Sequence, residues 1–266
     1  MPTTVCIAGA TGWTGRPIAE AVLAADDLVL RSAVSRSAAG LDLGLAWDGD
    51  PLDVPVFGTV AEALEGVDVL VDYTSDEAVL SNTLAALERG VAVVIGTSGL
   101  DAEDFAQIDR AAGEAGVGVV AAGNFSLTAA MAQAAALLVA RHLPYREVID
   151  YASAGKPDAP SGTARELAER LAQVRANTVD VTPAETRGAV EARGTTVAGT
   201  QVHSLRLPSF VLSTEVLFAL PDERLSIRHD AGNTPVPYVG GTLLAVRAVS
   251  GRRGLTRGLD NLLLDG

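Results

Sequence analysis

The first part of the chain alternates short runs rich in Val, Ile and Leu with longer stretches in which apolar residues recur every three or four positions. The runs cover residues 4–8, 28–34, 67–73, 91–95 and 117–121. The amphipathic stretches between them cover 17–25, 60–64, 77–88 and 102–115. Strands that are apolar throughout are those buried on both faces, and helices that stop near Gly66, Gly90 and Gly116 return the chain between parallel strands.

After residue 122 the rhythm changes. The pattern predicts a helix over 127–141, a strand over 147–153, a polar loop, a charged helix over 163–175, and strands over 201–207, 213–220 and 224–230. Strands that follow one another across turns as short as Pro221-Asp222-Glu223 favour antiparallel pairing. A last helix over 238–249 returns to the first part. The predicted fold class is α/β: a Rossmann-like doubly wound parallel sheet, residues 1–122 plus 238–266, with a second α+β domain, residues 123–237, containing a largely antiparallel sheet.

Composition narrows the function classes. Of 266 residues, 48% are hydrophobic but only 4% aromatic, so the core is built from Ala, Val, Leu and Ile close to backbone, which rules out both disorder and a disulfide-stapled miniprotein. The net charge of −13, with no basic run to offset it, argues against nucleic acid or an anionic membrane as the main partner. The single cysteine, Cys6, lies in the apolar run Val5-Cys6-Ile7-Ala8 and reads as a buried structural thiol in a reducing compartment. No basic and apolar leader opens the chain, and no apolar run reaches the roughly 18 residues of a membrane span. A cytoplasmic protein is expected.

The segment Gly9-Ala10-Thr11-Gly12-Trp13-Thr14-Gly15-Arg16 follows the first strand and opens the first helix. Glycines there let backbone approach a pyrophosphate and aim helix-start amides at it. Gly9, Thr11, Gly12, Trp13, Thr14 and Gly15 are therefore candidate cofactor residues. The spacing departs from the commoner GxGxxG, and a plain tight turn is the competing reading; placement between strand and helix favours a dinucleotide. The second strand ends in Val34-Ser35-Arg36-Ser37, with no carboxylate to hold an NAD ribose. Arg36 flanked by Ser35 and Ser37 suits a 2′-phosphate, which favours NADPH over NADH; a solvated loop arginine is the alternative. Two more strand ends, Asp72-Tyr73-Thr74-Ser75 and Gly96-Thr97-Ser98-Gly99, belong to the same edge. Tyr73, Thr74, Gly96, Thr97 and Ser98 are candidates to lie against the nicotinamide ribose.

Of the 20 Lys and Arg residues only Lys156 is a lysine. It stands in Ala154-Gly155-Lys156-Pro157-Asp158-Ala159-Pro160-Ser161-Gly162-Thr163-Ala164, just before a helix. Lys156 together with Ser161, Gly162 and Thr163 at a helix start makes a pocket for a substrate carboxylate.

Nearly end to end the chain resembles the dihydrodipicolinate reductases. The resemblance rests on the glycine loop, on Gly96-Thr97-Ser98-Gly99 where the family has Gly-Thr-Thr-Gly, and on Asn124-Phe125-Ser126. It rests further on the lysine motif from Lys156 to Ala164, on Gly199 through His203-Ser204-Leu205-Arg206, on Gly240-Gly241 and on Gly258-Leu259-Asp260. It implies an NAD(P)H-dependent reductase, a substrate domain whose sheet assembles a homotetramer, and catalysis where the two domains meet. The positions of Lys156, Ser161, Gly162 and Thr163, with Ser98, would bind substrate carboxylate. Asn124, Phe125 and the turn from Gly96 to Ser98 would lie along the cofactor. No metal is implied.

One departure matters. The family places a His-His pair a few residues before the lysine and uses one as proton donor, whereas this chain has Asp150-Tyr151-Ala152-Ser153. Ser153 then becomes a candidate substrate contact and Lys156 the one candidate catalytic group. Gly232-Asn233-Thr234 stands where a Ser-Arg pair is common. His142, His203 and His229 read first as structural, and Tyr151 keeps a hydroxyl that can donate. Two functions stay open: reduction of a cyclic imine or enamine carboxylate, with a changed substrate, or an inactive NAD(P)-binding sensor or interaction subunit. Short-chain reductases need Tyr-x-x-x-Lys, and Ala152 stands four residues before the lysine.

Overall fold

The computed structural model describes residues 1–210 and 212–264. In chain order the first elements are β1 (Thr3–Ala8), α1 (Gly15–Leu23), β2 (Leu28–Val34), α2 (Leu43–Ala46), β3 (Val56–Phe57), α3 (Val60–Ala63) and β4 (Val69–Asp72). They are followed by α4 (Asp76–Leu87), β5 (Ala92–Ile95), α5 (Ala102–Ala115), β6 (Gly118–Ala121) and α6 (Leu127–Ala140). Then come β7 (Tyr145–Ala152), α7 (Gly162–Val174), β8 (Thr195–Val197), β9 (Thr200–Arg206), β10 (Leu212–Leu220) and β11 (Glu223–Asp230). The chain closes with α8 (Val236–Val249), β12 (Gly254–Arg257) and α9 (Asp260–Leu264). It divides into two compact units, Met1–Leu127 with Pro235–Gly266, and Thr128–Thr234.

The first unit holds a parallel seven-stranded sheet in the order β12-β6-β5-β4-β1-β2-β3. β4, β5 and β6 are buried at every position, which is why their sequences read as unbroken apolar runs. Strand order reverses between β1 and β4, where Ala8 pairs with Asp72. Local sequence fixes the helix ends: a capping box on Asp101 starts α5, and Gly116 at φ 70° stops it. The strand β12 was not predicted; only its remote partner β6 makes four residues a strand.

The second unit holds a five-stranded sheet in the order β11-β10-β7-β9-β8. Three of its pairings are antiparallel, but β7 and β9 run parallel because α7 and a long connection cross between them. The sheet is therefore mixed. One face, carrying Val148, Val202, Val216 and Phe218, packs on Ala136, Ala140, Leu167 and Leu171 of α6 and α7. Among the described residues no helix is long and apolar enough to cross a membrane.

Candidate active site

The glycine loop is shaped by close backbone approach. Gly9 sits at φ 84° with its would-be Cβ against the Tyr73 carbonyl, and a Cβ on Gly15 would collide with the Gly9 carbonyl. The Gly12 amide donates to the Gly9 carbonyl at 2.9 Å, which leaves Trp13 and Thr14 at the open start of α1. Trp13 is 56% exposed rather than packed, with its ring edge-to-face on Tyr238 at 6.3 Å. The second tryptophan, Trp47, went unnoticed in the sequence: its indole N–H donates to the Ala10 carbonyl at 3.3 Å and Arg16 lies 5.1 Å over its ring.

At the end of β2 the Ser35 hydroxyl meets Thr11 Oγ at 2.8 Å and Ser37 Oγ at 3.3 Å, so this strand end and the glycine loop are tied together. Arg36 is exposed and makes no hydrogen bond or ion pair among the described residues. Its guanidinium is available to an anion.

At the ends of β4 and β5 the organiser is Asp72, which the sequence reading did not single out. It is fully buried, and it accepts from the Thr74 hydroxyl at 2.6 Å, the Thr97 hydroxyl at 2.9 Å and Asn82 Nδ2 at 2.9 Å. Thr74 and Thr97 thus face inward on Asp72, while Ser98 is exposed. The Tyr73 ring fills the space a Gly96 side chain would need. It meets Phe125 edge-to-face at 6.1 Å and donates its hydroxyl to Thr242 at 2.8 Å; burial pushes the phenol well above its ordinary range, so it acts through shape. Phe125 itself is buried. Asn124 accepts from the Ser126 amide at 2.8 Å, and its buried Nδ2 has no hydrogen-bond acceptor among the described residues. A carbonyl such as that of a carboxamide satisfies such a donor, and with the amides at the start of α1 this edge fits a nicotinamide dinucleotide.

In the second unit Lys156 Nζ lies 2.7 Å from Asp158 Oδ1, both groups half-exposed. Beneath this loop Asp150, fully buried, accepts from the Ser161 amide at 2.9 Å, Ser204 Oγ at 3.0 Å and Arg206 Nη2 at 2.9 Å. Arg206 also donates to the Asp158 carbonyl, so the Asp150–Arg206 pair anchors the loop that carries Lys156. Sequence placed Ser161 in the carboxylate pocket, but its amide is not open to an anion. That residue is 1% exposed, its N–H goes to Asp150, and its Oγ accepts from the Ala164 amide at 3.3 Å as the N-cap of α7. Gly162 and Thr163, the first residues of α7, and Ser153 are half-buried.

The side chains near the absent histidine pair are engaged elsewhere. Ala152 is fully buried at the end of β7. Tyr151 alternates to the opposite face from Asp150 and Ala152, where it donates to Glu215 at 2.9 Å beneath Arg228 and stacks on Phe210. His203 pairs with Glu147 at 2.8 Å, and His142 is exposed. His229 shares the Asp150 face, meets Thr128 Oγ at 3.0 Å, and is held below the ordinary imidazole range by burial, hence neutral at pH 7.

The family model described as dihydrodipicolinate reductase, N-terminus, matches residues 3–125, and that of the C-terminus matches residues 123–263. The chain belongs to the dihydrodipicolinate reductase family. It is 35% identical over 269 residues to a 4-hydroxy-tetrahydrodipicolinate reductase of Thermosynechococcus vestitus, a match covering 98% of this chain and 97% of the relative. A 4-hydroxy-tetrahydrodipicolinate reductase of Moorella thermoacetica is 37% identical over 265 residues, covering 97% of each. The solved structure of a dipicolinate-bound dihydrodipicolinate reductase from Paenisporosarcina sp. TG-14 matches with a TM-score of 0.77 at 29% identity, over 98% of this chain and 99% of that one. Family membership makes this chain an NAD(P)H-dependent oxidoreductase acting on a C=N or conjugated C=C bond.

Proposed function

We propose that the protein reduces a cyclic imine or enamine carboxylate, with NADPH preferred over NADH, and that its substrate has changed from dihydrodipicolinate. The observation that carries the reading is that the chain's one lysine already holds a carboxylate, its own Asp158 at 2.7 Å, next to the start of α7. A substrate acid group takes the same position by exchange, with Gly162, Thr163 and Ser153 as further contacts and Ser161 setting the turn from below. Bound NAD(P)H supplies the hydride. Gly9, Thr11, Gly12, Trp13, Thr14 and Gly15 receive its pyrophosphate; Ser35, Arg36 and Ser37 its 2′-phosphate; Tyr73, Thr74, Gly96, Thr97, Asn124 and Phe125 its nicotinamide half.

Protonation distinguishes this chain. Ala152 carries no acid, Tyr151 is bonded on the opposite sheet face, and neutral His229 is a weak donor. The proton then comes from water, which suits an imine whose nitrogen takes it up without a positioned acid. The first unit, which includes Asn124 and Phe125, chiefly serves the cofactor and the second the substrate, in a cytoplasmic homotetramer built on the second sheet. The missing acid also favours a second reading, an NAD(P)-binding sensor without turnover. Oxidation of NADPH and of NADH is to be followed with dihydrodipicolinate beside simpler cyclic imino acids. Faster turnover of a simpler imino acid is expected. Dihydrodipicolinate as the best substrate would overturn the changed-substrate reading, and cofactor binding with no turnover at all would select the sensor.

A further inference from the structure

The Asp72 carboxylate is buried, and no cation among the described residues pairs with it. Its partners all donate: the Thr74 amide at 2.9 Å and hydroxyl at 2.6 Å, the Thr97 hydroxyl at 2.9 Å and Asn82 Nδ2 at 2.9 Å. Acceptance on both oxygens is the bonding pattern of the ionised group. A buried charge without a cation is unfavourable, and the turns do not require one. An Asn at this position would offer Thr74 and Thr97 the same acceptor oxygen, and Asn82 with its amide reversed would complete the pair. The negative charge is therefore surplus to shape.

Its location supplies a use. Asp72 ends β4 beside the reversal of strand order between β4 and β1, the crevice in which open α/β sheets bind ligands. The residues it fixes, Thr74 and Thr97, belong to the loops assigned above to the nicotinamide half, and the aromatic pair Tyr73 and Phe125 lies on the same edge. A nicotinamide ring is neutral when reduced and positively charged when oxidised. When hydride carries two electrons to the substrate carbon, the ring gains one positive charge, while the proton needed by the substrate comes from solvent. We infer that Asp72 is the counter-charge for the oxidised nicotinamide ring, raising affinity for NADP+ relative to NADPH and favouring hydride donation. The inference rests on the cofactor reading of this edge.

Calorimetric titration of wild type and Asp72→Asn with NADP+ and with NADPH tests it. The variant is expected to weaken NADP+ by roughly tenfold or more while changing NADPH by no more than about twofold, because the two forms share their phosphate charges and differ in the charge of the ring. An equal loss for both forms would mean that Asp72 only positions its loops, and no change in either would leave its charge without a role; each overturns the inference. Asp72→Asn combined with Asn82→Asp returns the charge within one hydrogen bond and is expected to restore NADP+ affinity; NADPH binding without that restoration overturns the inference. Thr97→Val keeps the charge and removes one bond, so it should alter both affinities by a similar factor, and a loss confined to NADP+ counts against the proposal. Should Asp72→Asn fail to fold, these two variants carry the test. Wild type that binds neither form overturns the cofactor reading and this inference together; wild type that binds both, with a ratio unmoved in the variants, overturns this inference alone.

Discussion

Lys156→Met removes an ammonium and keeps most of its apolar stem, so it separates charge from packing. The structural partner of that charge is Asp158 at 2.7 Å, with the two side chains 29% and 40% exposed. An ion pair that accessible is worth less than about 1 kcal/mol, so the variant should melt within about 4 °C of wild type. The contact to a substrate acid is different, since a charge-assisted hydrogen bond lost from a partly dehydrated site costs about 1.5–3 kcal/mol. Steady-state NADPH oxidation should therefore show kcat/KM lowered by roughly 10- to 150-fold, while calorimetry shows NADPH affinity unchanged. Asp158→Asn makes the complementary change: Lys156 no longer leaves an internal partner to meet the substrate, and KM should fall by about two- to fivefold, the worth of an exposed pair. Unchanged kcat/KM in Lys156→Met would remove the lysine from the substrate site. A weakened NADPH affinity would place it against the cofactor instead, and a higher KM in Asp158→Asn would refute the exchange of carboxylates.

Arg36→Ala should weaken NADPH by about 1.5–3 kcal/mol and leave NADH unchanged by calorimetry; equal loss for both would show that Arg36 does not read the 2′-phosphate. Ser153→His puts an imidazole at a half-buried position, whereas His at fully buried Ala152 would overpack the end of β7 by about 1–3 kcal/mol. The single variant Ser153→His should raise turnover of dihydrodipicolinate relative to simpler imino acids, and an unmoved ratio would show that a positioned acid is not what limits the family substrate. Burial pushes the Cys6 thiol from 9.0 up to about 12, so the folded chain holds a proton that the unfolded chain releases above pH 9. Stability should therefore fall between pH 9 and 12, by about 1.4 kcal/mol at pH 10, relative to Cys6→Ala in denaturant titrations; parallel curves would refute a buried neutral thiol.

Elements whose signals are local were legible in the sequence. β2 spans Leu28–Val34 and α5 spans Ala102–Ala115, as the apolar patterns predict, because burial on both faces and a capped amphipathic helix leave marks within the segment itself. The strand β12 and the parallel pairing of β7 with β9 left no such mark, since each is defined by a partner distant in the chain. The candidate site divides in the same way. The glycine loop, Arg36 and the lysine loop stood out by composition and spacing. Asp72 and Asp150 did not, because their meaning lies in hydroxyls 25 and 54 positions away, on Thr97 and Ser204. For the same reason the sequence showed that Ser161 stands at a helix start but not that its amide is already held by Asp150.

The chain has two tryptophans, and both adjoin the glycine loop, Trp13 within it and Trp47 bonded to its Ala10 carbonyl. All indole emission therefore originates beside the proposed pyrophosphate seat. Trp13 is open to solvent and rests on Tyr238, whereas Trp47 is held under Arg16, so the two should differ in quenching by dissolved iodide. Reduced nicotinamide absorbs where indole emits. The unlabelled wild-type chain thus carries its own optical gauge of dinucleotide arrival, and one of its two lamps can be extinguished at a time by Trp13→Phe or Trp47→Phe.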